Sequence, residues 1–123
     1  MSDKPLAERL QVKRERALAV VGAPAGMSIE APAAPLEQAQ VVVMFAPDRA
    51  GFAAAMADTA AGLDDGVILW LAYPKLTSPL ARDLSRDILH AAVEEWGWST
   101  VSQIALDADW SALRLRRKKS PAP

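Results

Sequence analysis

Two short apolar runs constrain this chain more than any other feature: "VVVMFA" at residues 41–46 and "VILWLA" at residues 67–72. Neither run contains a polar residue, and both are rich in β-branched or aromatic side chains. A strand with one wet face alternates apolar with polar, so an unbroken run predicts a strand buried on both faces, as in a parallel sheet. Between them, "PDRAGFAAAMADTAAG" sets Phe52, Met56, Ala60 and Leu63 at helical spacing. Pro47-Asp48 stands at its head and Gly62 just past its end, which is the asymmetry of a helix. Asp64-Asp65-Gly66 then turns the chain into the next strand. Strand, helix, strand is the unit from which α/β sheets are built.

The flanks extend this unit in both directions. Upstream, "PLAERLQV" has Leu6 and Leu10 on one side, a short amphipathic helix, and Ala17 to Val21 reads as a buried strand closed by Gly22 and Pro24. Residues 23–40 are rich in Ala, Pro and Gly and read as loop, with at most a short edge strand at 27–30. Downstream, Leu80, Leu84, Ile88, Ala91 and Ala92 form a second helical stripe that runs to Trp96 and stops at Gly97. "TVSQIALD" then alternates Val101, Gln103 and Ala105 against its other face. "SALRLRR" alternates Leu113 and Leu115 toward the core with Arg114 and Arg116 toward water. The short Asp107-to-Trp110 link makes these two an antiparallel hairpin. The expectation is one α/β domain over residues 1–117 with a flexible tail at 118–123. Its sheet is parallel at the centre and ends in a C-terminal antiparallel hairpin, with right-handed crossovers placing helices on both faces.

That order of elements is also the second half of a class I methyltransferase, a truncated Rossmann-like sheet. The pieces "LAERLQV", "AVVGAP", "LWLAYPKLTS", "RDLSRD" and "VSQIALDADWSALRLR" together resemble a bacterial family of small proteins known only as a domain of unknown function. The stretch Leu69 to Arg116 carries most of the resemblance, and residues 25–40 depart from it by being short and proline-rich. The resemblance implies a Rossmann-like sheet and brings no activity with it.

Composition narrows the function by exclusion. The chain of 123 residues has a formal charge of -1, so no overall field recruits nucleic acid or anionic lipid. It has no cysteine, which removes disulfides, thiol nucleophiles and thiolate zinc sites. The charged N-terminus "MSDKPLAERL" is not a secretory leader, and no apolar run approaches the roughly 20 residues of a membrane span. A cytoplasmic protein is the expectation.

Several chemical constellations fall short. A methyltransferase cofactor needs a glycine-rich turn after the first strand, so that backbone can come close to it. Here that turn is "VVGAPAGMS", with Gly22 and Gly26 among prolines and alanines, and only Glu30 is available as the acidic partner. No cofactor is expected, and no turn has the form of a phosphate-binding P-loop. His90 is the single histidine, in a charged row with Arg86 and Glu94, too few ligands for a metal. Asp83 and Asp87 share a face of the expected second helix, but Arg82 and Arg86 interleave with them as a solvated ladder. Trp70 and Trp96 read as core, with Trp110 at the hairpin corner less so. The basic ends, Lys13-Arg14-Arg16 and Arg114-Arg116-Arg117-Lys118-Lys119, would carry at most weak nucleic-acid binding.

What remains is the loop "AYPKLTSP". In open α/β sheets ligands bind beyond the carboxyl ends of the parallel strands. Three loops should reach that edge: Gly22–Gly26, Ala46–Arg49 and Tyr73–Ser78. Ser78-Pro79 can cap the second helix, which could otherwise begin a turn later at Asp83 or Ser85. A helix N-terminus beside Lys75 favours an anion. The candidate site is therefore Gly22, Gly26, Pro47, Tyr73, Lys75, Ser78 and Asp83. The corresponding function is a non-enzymatic module that binds a small anionic ligand or a protein partner. A small enzyme using Tyr73, Lys75 and Asp83 is the alternative.

Overall fold

The structure, a computed structural model, describes residues 16–24, 31–63 and 66–117, together with Leu10, Val12, Met27 and Ile29. Five strands form one sheet in the order β1-β2-β3-β5-β4: β1 is Leu18–Val21, β2 Val41–Phe45, β3 Ile68–Pro74, β4 Trp98–Ala105 and β5 Trp110–Arg117. β1, β2 and β3 are parallel, while β5 runs antiparallel between β3 and β4. The central runs are buried as their composition requires: Val41, Val42, Val43 and Met44 are all fully covered, as are Leu69, Leu71 and Ala72. Alternate residues serve opposite faces. Val42, Met44, Leu69, Leu71, Tyr73, Leu113 and Leu115 pack on one side. Val41, Val43, Phe45, Trp70, Ala72, Trp110 and Ala112 pack on the other.

Two α-helices are present among the described residues, α1 (Arg49–Asp58) and α2 (Arg86–Glu95). α1 begins where the sequence places it, because the Asp48 carboxylate accepts the Gly51 N–H at 2.8 Å. Both helices cover the same face, through Phe52, Ala55 and Met56 from α1 and Leu89 and Val93 from α2. The opposite face carries Leu10, with Met27, Ile29 and Ala31 packed beside it. The Trp70 indole N–H donates to the Leu10 carbonyl at 2.9 Å, holding that segment to the sheet. The expected N-terminal helix, the strand at 27–30 as a whole, Gly26, Glu30 and the tail at 118–123 lie outside the described residues.

Two expectations are corrected. The second helix starts at Arg86 with Ser85 as its cap, the later of the starts the sequence offers, rather than at Pro79. Ser78 does not cap a helix: its hydroxyl accepts the Leu80 N–H at 3.0 Å and donates to Asp109 at 2.8 Å, so residues 75–81 close as turns. Ser85 is the cap, accepting the Ile88 N–H at 3.2 Å. Asp83 consequently precedes the helix and shares no helix face with Asp87, and Leu80 is exposed. Gly97 ends α2 as expected, with φ of 85° in the left-handed region and its N–H donating to the Glu94 carbonyl.

The second correction is in β4. A register shift between Thr100 and Ser102 leaves Val101 bulged and 52% exposed. Beyond it Gln103 pairs with Leu113 and Ala105 with Ser111. The alternation therefore changes phase at Val101, and Gln103 and Ala105 come to the face that carries the helices.

Candidate functional site

Most of the expected loops do converge above the carboxyl ends of β1, β2 and β3. A cleft of about 450 Å³ there is lined by Pro24, Pro47, Pro74, Pro79, Arg82 and Trp110, among others. Its walls are mostly apolar rings, and among the described residues Arg82 is their one charge. Gly22 sits just before Pro24 with φ of 72°, a left-handed turn that glycine adopts without strain.

Lys75 and Tyr73 line a different concavity, of about 610 Å³, on the helix-bearing face beyond the start of α2. Tyr73 and Ser111 pair across β3 and β5, and Gln103, Ile104 and Ala105 from β4 complete the floor. Lys75, Leu76 and Thr77 form the rim on one side, and Arg86 at the head of α2 closes the other. The β4 bulge matters here, because an unbroken register would send Gln103 to the far face.

The hairpin loop fixes the rim. Lys75 N–H donates to the Asp109 carbonyl at 2.8 Å and its ammonium donates to the Asp107 carbonyl at 2.6 Å. Ser78 holds the Asp109 carboxylate, and Asp107 accepts the Asp109 and Trp110 N–H groups at 2.8 Å each. Asp83 serves α1 instead: its carboxylate accepts the Arg49 N–H at 2.8 Å, and its carbonyl accepts Arg49 Nε–H at 3.2 Å. Of the expected residues, the structure thus brings Tyr73 and Lys75 together, puts Pro47 in the neighbouring cleft, and gives Ser78 and Asp83 bracing roles. His90 is exposed and shares a hydrogen bond with Thr100.

Tyr73 is the chemical centre of this concavity. It is 3% exposed, and no hydrogen bond reaches its hydroxyl from the described residues. Burial pushes its pKa above the ordinary 10.0, against a lowering by Arg86, with Asp87 adding a smaller raise. The hydroxyl therefore stays protonated and can donate. With it stand two cationic side chains, Lys75 and Arg86, and among the described residues no carboxylate lines the concavity. Sequence reading missed Arg86, Gln103 and Ser111. Arg86 looked like one rung of a charge ladder, and the other two depend on strand pairing that no local pattern announces.

Neither the protein-family models nor the curated proteins contain a match to this chain. Solved structures do resemble it. A LepI variant in complex with SAH and a substrate analogue superposes with a TM-score of 0.54 at 8% identity, over 92% of this chain and 39% of that one. LepI in complex with SAM gives 0.51 at 9% identity, with the same coverage. The likeness is one of fold: this chain is a truncated methyltransferase-like α/β sheet spanning about two-fifths of the LepI chain's length.

Proposed function

We propose that the chain is a non-catalytic binding module for a small anionic ligand, seated in the Tyr73–Lys75–Arg86 concavity. The observation that carries this is the lining of the hollow: Tyr73, whose hydroxyl makes no hydrogen bond to the described residues, stands beside Lys75 and Arg86, which among the described residues are its charged side chains. A hydroxyl with no internal partner is available to donate to an incoming oxyanion, and a hydrogen bond to a charged acceptor is stronger than one between neutral groups. Lys75 and Arg86 supply the long-range attraction, and Gln103 and Ser111 add neutral polar groups. Among the described residues the lining offers no carboxylate to act as a base, and the chain has no cysteine.

The described residues match the adenosyl cofactor of the LepI complexes poorly. Such a ligand needs bare backbone with free N–H donors beside the first strand and an acidic group for ribose hydroxyls. The corresponding cleft presents Pro24, Pro47 and Pro74, none of which has an N–H, and among the described residues no acidic side chain lines it. Outside β1, an isolated bridge between Leu18 and Ala33 takes the place of a further strand among the described residues. This supports a module without methyl-transfer chemistry.

The test is calorimetric titration of the protein with citrate, acetate, AMP and SAM at millimolar concentration. A saturable heat with citrate, acetate or AMP that Lys75→Ala and Arg86→Gln weaken supports the reading. No saturable anion, or one indifferent to both substitutions, overturns it. Micromolar SAM binding would overturn the exclusion of that cofactor. An apolar groove of about 510 Å³ between α1 and α2, with Trp96 40% exposed at its rim, favours a protein partner as the second reading.

A further inference from the structure

At the opposite end of the sheet, where β3 begins and β5 ends, a second concavity of about 410 Å³ has a different character. Among the described residues its charged lining is Arg114, Arg116 and Arg117, against a wall that includes Ile68, Trp98 and Val101. Three guanidinium groups in one hollow repel one another, and a chain of net charge -1 has no general need of such a cluster.

The three arginines are in different states. Arg117 is fixed: its guanidinium lies 4.5 Å from the Trp98 ring centroid and donates to the Leu63 carbonyl at 2.7 Å. Arg116 is exposed. Arg114 is half-buried on the opposite side of β5 from Leu113 and Leu115, and its Nε is sealed from solvent with no acceptor among the described residues. A guanidinium donor removed from water is normally satisfied, so this one marks a position that an acceptor should fill.

We infer that this hollow binds a phosphate group through Arg114 and Arg116, with Arg117 as a prepositioned third cation. The arginine fork matches phosphate geometry bidentately, and a doubly charged oxyanion balances several guanidinium groups where a single carboxylate would not. The sheet places Arg114 and Arg116 on one face and Arg117 on the other, so the group would seat at the sheet's end, beside the Val101 bulge. The phosphate can be carried by a small phosphorylated molecule or by a nucleic-acid backbone, and the chemistry of recognition is the same.

The experiment is a titration of the full chain with inorganic pyrophosphate and, separately, with an oligothymidylate, read by NMR shifts of arginine side-chain and backbone N–H groups at low salt. Saturable shifts centred on Arg114 and Arg116 are expected with at least one probe, and the probe that saturates identifies the source. Arg114→Gln should weaken binding by roughly tenfold, the scale of one charge-assisted hydrogen bond. Arg116→Gln, at an exposed position that folding does not need, should also weaken it, while Lys75→Ala should leave it unchanged. Absence of saturation by both probes overturns the inference. So does binding that Arg116→Gln leaves intact, or that Lys75→Ala weakens instead.

Discussion

Replacing Leu115 tests the hairpin register on which both hollows depend. Leu115 is 2% exposed, lies between Leu69 of β3 and Thr100 of β4, and belongs to the core that α1 and α2 cover. Leu115→Ala removes a buried isobutyl group and leaves a cavity that rigid strands on both sides cannot close. Such changes cost 2–5 kcal/mol, and the two-sided packing suggests about 3 kcal/mol here. Leu115→Asp adds the desolvation of a carboxyl group without a partner, roughly 1–3 kcal/mol more on protein-derived scales. Against a total stability on the order of 5–15 kcal/mol, the alanine variant should fold and the aspartate variant should be severely destabilised. Arg116→Asp, one residue along on the exposed face, should cost under about 0.5 kcal/mol. Urea denaturation with a common slope reads all three. If Arg116→Asp lost more stability than Leu115→Ala, the assigned register, and with it the placement of Ser111 and Arg114, would be wrong.

Ser85→Ala should destabilise by about 1 kcal/mol in the same assay, because Ser85 caps α2, whereas a cap at Ser78 would predict no loss at position 85. Tyr73→Phe should flatten the alkaline limb of the stability curve. The folded pKa of Tyr73 is raised, so its stabilisation is complete below the ordinary value of 10.0 and is lost as pH climbs through the folded value. Thermal melts between pH 9 and 11 should therefore fall more steeply for the native protein than for the variant, and parallel curves would refute the burial argument. Trp70→Phe should cost on the order of 2 kcal/mol, since it strands the Leu10 carbonyl as well as shrinking a buried side chain. Hydrogen exchange at residues near Leu10 should rise in that variant. Lys75→Ala should leave the melting temperature within about 2 °C of native, as expected for a partly exposed cation whose changes fall within about 0.5 kcal/mol.

Patterns that depend on nearest neighbours were legible in the sequence. The unbroken apolar runs at 41–46 and 67–72 carry their own burial, because no register leaves them a wet face. Asp48 and Gly97 mark helix ends through hydrogen bonds that span a few residues. Leu113 and Leu115 declare their face by alternation. The start of α2 was not legible in the same way. Ser78-Pro79 and Ser85 are equally good local caps, and the choice fell to Asp109, a residue 31 positions from Ser78, whose carboxylate occupies the Ser78 hydroxyl. Val101 likewise gives no local sign of a bulge.

The sequence by itself thus determined that this chain builds a parallel α/β sheet closed by an antiparallel hairpin, and that the loops after β1, β2 and β3 gather at one edge. Only tertiary structure decided that those loops make a proline-walled cleft, while Tyr73 and Lys75 turn toward a separate hollow with Arg86, Gln103 and Ser111. The physical reason is range. Burial and capping are set by residues within a turn of each other, so composition and spacing encode them. A hollow is set by strand pairing and helix phase, and one bulge or one displaced cap shifts its lining by a whole residue position.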